Sequence, residues 1–499
     1  MYKLMSGLIA CVFLAGCNGG DSSNNQFAAN RAEIIAKSCP PNMSCGFMAA
    51  PKDYEEPNGE MVDIFYGVHK AQDSANRIGA LIFNFGGPSA AAVNGAAGMA
   101  ANNLPPEILN HFDIVGIDPR GAGQSAFAKE LTECAVAEYE GRGNCDATYQ
   151  QVAPYLGSNS VVKDIDRLRE HLGDEKLTFL GYSYGTRLGS LYAHTFPDRV
   201  RAIVLDAPMS PIAANNIEIR TGNAAGYEKI AKYRLGHNET RNNRYQNIVD
   251  QLFTAPEYNY QASDGVLTLK EGARAMNLTV ARESSGDWSY VESGVTNLLD
   301  YDRVNSLKWL LSVLSNGYSY NSYSNYEDML RGNALFKAVV CTDERTPLSD
   351  ADIEASLDRF VNASSLYGTL AYHQNADLCK GWTAQRDPIA PVVDMDVSLR
   401  GKQILIIGGQ YDPATPYAWA EEMKENFGDV GSLVTINNYV DHTFSYTGLD
   451  CIDQSTTAYL LNPDKKVAEK TCDKAAYRLG NDFTKPQRLP HPTDNVIGW

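Results

Sequence analysis

The chain has 499 residues, of which 44% are hydrophobic and 21% are charged, and its formal net charge is −17 at pH 7. This composition is typical of a folded globular protein, and the length exceeds that of a usual single domain. Proteins that bind nucleic acid use Lys and Arg to neutralise phosphates, so the acidic balance excludes nucleic acid as a partner. We therefore expect one large core that carries an insertion or a second domain.

Residues 1–16 have the pattern of a secretory signal. Lys3 precedes an apolar run over 4–14, which is too short to span a bilayer because that takes about 20 residues. The run ends in Leu14-Ala-Gly-Cys17, which resembles the lipobox of bacterial lipoproteins, where the cysteine is acylated. With Asn18 after the cysteine, the resemblance implies an exported protein, lipid-anchored through Cys17 in the outer membrane of a Gram-negative bacterium and facing the periplasm or the cell surface. An ordinary signal peptide with a chance cysteine is the alternative.

The remaining chain divides into segments of different pattern. Residues 17–50 begin with a stretch rich in Gly, Ser and Asn, which predicts a flexible tether followed by an N-terminal segment. Strand and helix patterns alternate over 51–210, which predicts a mostly parallel sheet with helices on both faces. The pattern over 211–395 is helical and polar, and strand character returns over 396–499. The fold class is therefore α/β, with one sheet that a helical insertion interrupts.

Apolar patterns predict the elements of this sheet in chain order. Two of the expected strands, at 80–85 and 112–117, are continuous apolar runs, as in strands that are covered on both faces. Helices are predicted at 160–172 and 184–195. The full set of predicted strands is 61–69, 80–85, 112–117, 177–180, 200–205, 403–407 and 433–436.

The motif Gly181-Tyr-Ser-Tyr-Gly185 lies between the predicted strand at 177–180 and the predicted helix at 184–195. This is the setting of a nucleophile elbow, a turn so tight that the flanking positions need glycine, with the serine exposed above the sheet. The motif alone is weak evidence, and a near copy around Ser319 lacks the second glycine and follows a helical stretch. The context selects Ser183 as the nucleophile.

A serine nucleophile needs a base to take its proton and a third group to orient that base. In an α/β-hydrolase the acid and then the histidine follow the serine along the chain, each after a strand. Asp412 follows the predicted strand at 403–407, and His442 follows the one at 433–436. Both positions are therefore filled in the expected order.

Two other aspartates and seven other histidines compete with this assignment. Asp206 ends the predicted strand at 200–205 and is the alternative acid. We interpret Asp441, which directly precedes His442, as a solvated loop residue. The other histidines precede the acid position or lie in the insertion or the C-terminal tail, which leaves His442 as the base.

Attack on a carbonyl group creates an oxyanion, which backbone N–H groups must meet. The expected donors are Tyr184, directly after the nucleophile, and a residue of the loop that follows the early strand at 80–85. We assign the second donor to Gly87 in Gly86-Gly-Pro88. Taken alone, this Gly-Gly-Pro sequence favours an ordinary turn.

Cysteine usage supports export independently of the signal. Cys11 lies in the signal segment and Cys17 is the lipidation site, so eight of the ten cysteines remain, an even number typical of disulfides in an exported chain. No His/Cys cluster has zinc spacing, so we expect no metal and no cofactor. Sequence leaves the connectivity open, and neighbours along the chain suggest four local bridges: Cys39/Cys45, Cys134/Cys145, Cys341/Cys379 and Cys451/Cys472.

Five motifs together resemble the secreted tripeptidyl aminopeptidase and prolyl iminopeptidase group of α/β-hydrolases. The resemblance extends over most of the mature chain and implies that the insertion is a cap over the site. It also implies that Ser183 is the nucleophile, Asp412 the acid, His442 the base and Gly87 part of the oxyanion loop. Two positions depart from the group, which usually has glycine at Ser89 and at Asp441. The motifs are Asn84-Phe-Gly-Gly-Pro-Ser89, Asp113-Ile-Val-Gly-Ile-Asp-Pro-Arg-Gly-Ala-Gly-Gln-Ser125, Gly181-Tyr-Ser-Tyr-Gly-Thr186, Val204-Leu-Asp-Ala207 and Asp412-Pro-Ala-Thr-Pro416.

The resemblance implies a serine aminopeptidase that releases short peptides or single residues from peptide N-termini through an acyl-enzyme. Such an enzyme needs a carboxylate for the substrate ammonium, and Asp343 and Glu344, next to Cys341, are the candidates. An esterase or other acyl hydrolase is the main alternative, because fold and triad do not fix the substrate. A catalytically inactive surface protein that binds through its cap is a further alternative. Sequence leaves the oligomeric state open, and we expect a monomer.

Overall fold

The computed structural model describes residues 21–236, 238–254, 258–317 and 326–474. The predicted signal segment, the lipidation site Cys17 and the near copy of the motif at Ser319 lie outside these residues. None of the described helices is both long and apolar enough to cross a membrane.

Eleven strands are present in the described residues, and nine of them form one sheet. In chain order they are β1 Ser44–Pro51, β2 Met61–His69, β3 Gly79–Asn84, β4 Phe112–Ile117, β5 Leu177–Tyr182, β6 Val200–Asp206, β7 Asn259–Ala262, β8 Gly265–Thr268, β9 Ile404–Gly409, β10 Gly431–Asn437 and β11 Lys470–Asp473. The large sheet has the order β1-β2-β4-β3-β5-β6-β9-β10-β11. Strand β2 is antiparallel to β1 and β4, and every other neighbouring pair is parallel.

Helices cover both faces of this sheet, and a further set forms the insertion. Seven helices precede the insertion, ten lie between β6 and β9, and two follow β9 within the described residues. The helices are α1 Asp21–Ser38, α2 Ala92–Asn102, α3 Pro106–His111, α4 Ala128–Tyr139, α5 Asp146–Val152, α6 Ser158–His171, α7 Tyr184–Thr195, α8 Asn216–Arg234, α9 Glu239–Thr254, α10 Leu269–Thr279, α11 Asp287–Tyr301, α12 Asn305–Gly317, α13 Tyr326–Asp343, α14 Asp350–Glu354, α15 Leu357–Ala363, α16 Gly368–Asn375, α17 Met395–Ser398, α18 Tyr417–Phe427 and α19 Asp450–Leu461.

The apolar runs of the sequence become strands that are buried on both faces. All residues of β3, β4 and β5 are buried. Successive side chains of a strand point to opposite faces. Along β3, Ile82 accordingly joins one apolar core, whereas Leu81 and Phe83 join the core on the other face. The predicted α/β class, with a mostly parallel sheet between helices, is confirmed.

The insertion, which we call the cap, is built mainly of α8 to α16. It has an apolar core of its own that includes Tyr227 on α8, Val291 on α11 and Tyr367 before α16. Val440, from the loop after β10, belongs to this same cluster. The cap is therefore packed directly against the loop that carries His442. It also contains the hairpin β7–β8, which the helical pattern of the sequence does not predict.

Two predictions about the N-terminal segment and the sheet edges differ from the structure. The prediction of a flexible tether is wrong from Asp21 onward, because α1 begins there. The helix-forming residues toward its C-terminal end favour this helix. Arg31 on α1 forms a two-point ion pair with Asp63 on β2, at 2.7 and 2.6 Å. The edge strands β1 and β11 were not predicted.

Four disulfide bonds join the neighbouring cysteine pairs that the sequence suggests: Cys39–Cys45, Cys134–Cys145, Cys341–Cys379 and Cys451–Cys472. The third closes a segment of the cap with a sequence separation of 38 residues. The fourth ties α19 to β11.

Candidate active site

Ser183 sits at the turn between β5 and α7. Its backbone is strained, with φ 55° and ψ −123°, as a nucleophile elbow requires. A Cβ at Gly181 would lie 2.3 Å from the carbonyl oxygen of Gly185, and one at Gly185 would lie 2.7 Å from that of Asn84. Glycine at both flanking positions is therefore a steric requirement, and Ser183 itself stays partly exposed.

His442 and Asp412 are in direct contact. The Nδ1 atom of the imidazole lies 2.9 Å from Oδ1 and 2.8 Å from Oδ2 of the carboxylate, and both residues are at most 3% exposed. The backbone N–H groups of Ala414 and Thr415 each donate to Asp412 at 2.8 Å, which fixes the carboxylate. A carboxylate on Nδ1 favours the tautomer with its proton there, so that Nε2 is left as the basic nitrogen.

Asp206, at the end of β6, holds the loop of His442 against the elbow. Its backbone carbonyl accepts a hydrogen bond from Ser183 N at 2.9 Å. Its carboxylate accepts from Phe444 N at 3.0 and 3.1 Å and from Ser445 N at 2.6 Å. Tyr182, the residue before Ser183, adds a bond from its hydroxyl to the carbonyl of Ser445 at 3.0 Å. These bonds place the nucleophile and the loop of His442 side by side.

The same contacts differ between the two candidate acids. The carboxylate of Asp206 bonds to backbone N–H groups, whereas that of Asp412 bonds to the imidazole. Burial raises the pKa of Asp206 to about 7, with a smaller contribution from the charge of Asp412. Asp206 is thus a supporting residue of the site, a role that the strand pattern did not indicate.

The Gly86-Gly-Pro88 loop packs against the start of α7. Gly86 has φ 82°, and a Cβ there would lie 2.6 Å from the carbonyl oxygen of Tyr182 and 2.9 Å from Tyr184 N. Tyr184 is the first residue of α7, so its N–H has no acceptor within the helix. Gly87, the next residue of the loop, is partly exposed. This arrangement can present two backbone N–H groups to one oxyanion.

The two carboxylates predicted to bind a substrate amine lie in different surroundings. Asp343 is behind the elbow, where it accepts bonds from Ser158 N at 2.8 Å and Ser158 Oγ at 2.5 Å. The hydroxyls of Ser158 and Tyr184 are 2.6 Å apart, and burial raises the pKa of Asp343 to about 6. Glu344 accepts from Asn216 N at 2.9 Å and lies 3.4 Å from Arg386. Burial raises the pKa of Glu344 as well.

Asp441 is not the solvated residue that we expected. It is 2% exposed, and its carboxylate accepts from His442 N at 2.9 Å. Ser284, in a short turn of the cap, donates to the same carboxylate from its Oγ at 3.1 Å and from its N at 3.3 Å. Glu283 N donates to the carbonyl of Val440 at 2.7 Å. The prediction is wrong because the cap covers this loop, so Asp441 joins the histidine loop to the cap.

Across the parts of the chain that the structure describes, no group of three or more His, Cys, Asp or Glu side chains is placed to hold a metal ion. The candidate site offers a serine, an imidazole and a carboxylate, with backbone N–H groups beside them.

Comparison with known proteins identifies the family. Residues 80–245 match the family model of the alpha/beta hydrolase fold, and residues 364–472 match that of the TAP-like proteins. The chain is 30% identical over 462 residues to serine protease Hip1 of Mycobacterium tuberculosis, covering 84% of this chain and 85% of the relative. It is 29% identical over 484 residues to carboxylesterase B of the same species, with 88% and 87% covered. It is 24% identical over 499 residues to the tripeptidyl aminopeptidase of Streptomyces coelicolor, with 89% and 86% covered.

Among solved structures, the proline iminopeptidase of Mycobacterium smegmatis aligns with a TM-score of 0.41 at 13% identity, covering 84% of this chain and 99% of that one. The first family model spans the Gly86-Gly-Pro88 loop and Ser183, and the second spans Asp412 and His442. The predicted resemblance to TAP-like α/β-hydrolases is confirmed. The chain belongs to the α/β-hydrolase family, in its TAP-like group, and is a serine hydrolase.

Proposed function

We propose that this serine hydrolase is an aminopeptidase that removes short peptides or single residues from peptide N-termini, with Ser183, His442 and Asp412 as its catalytic triad. The observation that carries the proposal is the contact between His442 Nδ1 and the buried carboxylate of Asp412. The loop that carries His442 is hydrogen-bonded to Asp206, which also accepts a bond from the backbone N–H of Ser183.

The proposed reaction has two halves. Nε2 of His442 takes the proton of the Ser183 hydroxyl as Oγ attacks the carbonyl carbon, and Asp412 stabilises the imidazolium that forms. The N–H groups of Gly87 and Tyr184 bind the oxyanion. The imidazolium then protonates the leaving amine, which departs as the downstream peptide. A water molecule, deprotonated by His442, finally hydrolyses the acyl-enzyme and regenerates the serine.

Support for peptides as substrates comes from the relatives, two of which are named a serine protease and a tripeptidyl aminopeptidase. An aminopeptidase also needs a carboxylate for the substrate ammonium. Both candidates already have partners, because Asp343 accepts two bonds from Ser158, and Glu344 accepts one from Asn216 N and lies 3.4 Å from Arg386. The similarity to a carboxylesterase favours the alternative, an esterase on the same fold.

We also propose that the protein is exported, lipidated at Cys17 and anchored as a monomer in the outer membrane of a Gram-negative bacterium. The segment 1–16 and Cys17 support the signal and the anchor. The four disulfide bonds support an oxidising compartment. Labelled palmitate should be incorporated into the wild type and not into Cys17→Ser. Equal incorporation into both would contradict the anchor.

The peptidase proposal is tested with purified protein and a panel of peptidyl amides, each with a free and an acetylated N-terminus, alongside simple esters. We expect cleavage of amides that is lost when the N-terminus is blocked. Turnover of esters alone would support the esterase, and turnover of neither class would support a binding protein.

Two variants complete this test. Ser183→Ala should lower kcat by about 10⁴-fold or more, because the attacking oxygen is absent. Ser312→Ala removes an exposed hydroxyl of the cap that bonds only within its own helix, to Trp309 O, and should leave kcat unchanged. An active Ser183→Ala protein would contradict the assignment of the nucleophile.

A further inference from the structure

Arg220 lies on the face of α8 that is turned toward the loop of Asp412. Asn216, Arg220, Asn223 and Tyr227 follow one another at spacings of four, three and four residues, so they share one face of the helix. Asn223 Nδ2 donates to the carbonyl of Ala414 at 2.6 Å. Burial, and to a smaller extent the charge of Asp412, raises the pKa of Tyr227. Arg220 therefore belongs to the surface that covers the acid of the triad.

On its other side, Arg220 is connected to the oxyanion loop through α13. The guanidinium carbon lies 5.2 Å from the centroid of the Phe336 ring. Gly332 is one turn earlier on the same helix, and a Cβ there would lie 3.5 Å from Ser89 Oγ. The path from Ser89 through α13 to the guanidinium is at most about 20 Å, which about six extended residues can span.

This path is open to solvent while its surroundings are buried. Ser89, Gly332, Phe336 and Arg220 are all partly exposed. On α13 the neighbouring residues Ala334, Leu335 and Ala338 are buried. The exposed strip thus begins at Ser89, follows α13 and ends at a guanidinium group.

Within the part of the chain that the structure describes, no carboxylate is paired with Arg220. Among the described residues, its only hydrogen-bond acceptor is Asn216 Oδ1, which takes the Nε–H at 3.2 Å, and it forms no ion pair. Burial lowers the pKa of Arg220. Glu344 approaches the same Asn216 but is already engaged with Asn216 N and Arg386. The two terminal nitrogens keep four N–H donors for another partner.

A cation within a protein is costly unless an anion pairs with it. The planar guanidinium matches a carboxylate through two parallel hydrogen bonds. We infer that Arg220 binds a carboxylate of the substrate, so that the enzyme selects peptides with a carboxylate within about six residues of the bond that is cut. This inference rests on the proposed function. The carboxylate comes from an acidic side chain or from the C-terminus of a short peptide.

The test uses hexapeptides with free N-termini in three forms: one with a Glu and a C-terminal amide, one with Gln at that position and a C-terminal amide, and one with Gln and a free C-terminus. For the wild type we expect kcat/KM at least tenfold higher for one of the two forms that carry a carboxylate than for the neutral form, with the difference in KM. The form with the higher kcat/KM identifies the source of the carboxylate, which is either the Glu side chain or the free C-terminus. Equal values for all three forms would overturn the inference.

Three variants separate binding from a structural role. Arg220→Gln should have the same kcat/KM on charged and neutral peptides, and Arg220→Lys should retain part of the wild-type discrimination. Arg359→Gln removes an exposed charge from α15 of the cap and should discriminate as the wild type does. Equal losses on charged and neutral peptides in Arg220→Gln would overturn the inference. If Arg220→Gln does not fold, the Arg220→Lys ratio decides.

Failure of the proposed function gives a different result. In that case the wild type would cleave none of the peptides and hydrolyse only esters. Esters with and without a carboxylate on the acyl group would then test Arg220 in the same set of variants.

Discussion

Two arginines, one in the hydrolase core and one in the cap, differ in how many of their hydrogen-bond donors the protein satisfies. Arg120, in the core, is fully buried and forms a two-point ion pair with Asp164, at 2.7 and 2.9 Å. Its remaining donors meet the carbonyls of Pro51 and Lys52, each at 2.6 Å. Arg220, in the cap, has one amide oxygen from Asn216. The protein provides acceptors for the N–H donors of Arg120. Among the described residues, Arg220 has an acceptor only for its Nε–H.

The difference indicates that the hydrolase core and the cap have different roles. In the core, the carboxylates of Asp206 and Asp412 are matched within the protein, so the positions of His442 and its loop are set before any substrate arrives. In the cap, the terminal donors of Arg220 are left for a ligand. Changes to the core should therefore lower activity on every substrate alike, whereas Arg220 should matter only for substrates with a carboxylate.

The largest effect is expected from Asp412→Asn. The amide cannot hold the Nδ1–H of His442 as a carboxylate does, so the imidazole loses both its tautomer preference and the stabilisation of its charged form. The same substitution in the chymotrypsin triad lowers kcat by about 10⁴-fold, and we expect a similar loss here. Steady-state kinetics on charged and neutral peptides should show equal losses. A loss of kcat on only charged or only neutral peptides would contradict the proposed difference in role between the core and the cap.

Gly86→Ala should lower kcat by about 10²–10³-fold. The added methyl group would lie 2.6 Å from Tyr182 O and 2.9 Å from Tyr184 N, at a φ of 82° that disfavours alanine. It would push the oxyanion loop away from the elbow, at a cost similar to losing one oxyanion donor. Gly98→Ala is the matched control, because a Cβ on this residue of α2 meets no atom within 4 Å. Normal kcat in Gly86→Ala would rule out this loop as the oxyanion site.

Asp206→Ala tests how the stability that Asp206 contributes, by holding the histidine loop to the elbow, depends on pH. The pKa of Asp206 is raised from 3.8 to about 7, so between these values the folded state binds a proton that the unfolded state does not. This group therefore stabilises the wild type most at low pH, and the contribution is lost as pH rises toward 7. The wild type's advantage over the variant in free energy of unfolding should be about 2–3 kcal/mol larger at pH 5 than at pH 8. Urea denaturation measures it, and equal differences at the two pH values would contradict the expectation.

Sequence patterns were sufficient for the parts of the molecule that depend on neighbours along the chain. The continuous apolar runs predicted β3, β4 and β5, and the rule that catalytic groups follow strand ends selected Asp412 and His442. The edge strand β11 was missed because its four residues carry no pattern, and pairing with β10 places it there.

The supporting contacts depend on residues far apart in sequence. Asp206 and Phe444 are 238 positions apart, and Ser284 and Asp441 are 157 apart. No local pattern marks such a pair, so the role of Asp206 was missed and Asp441 was misjudged. The same reason explains why Arg220 gave no signal in the sequence: its lack of a partner is a property of the fold.

The smallest effect is expected at the contact between the two regions. Ser284→Ala removes the hydroxyl that donates to Asp441 at 3.1 Å and leaves the weaker backbone bond at 3.3 Å. Losing one such bond costs about 1 kcal/mol, so we expect kcat/KM to fall about fivefold or less on charged and neutral peptides alike. Ser285→Ala is the matched control in the same turn, because its hydroxyl donates only to the cap's own backbone, at Arg282 O. If the two variants had identical kinetics, the cap would not steady the histidine loop through this hydroxyl, and the regions would be coupled by Val440 and its apolar neighbours instead.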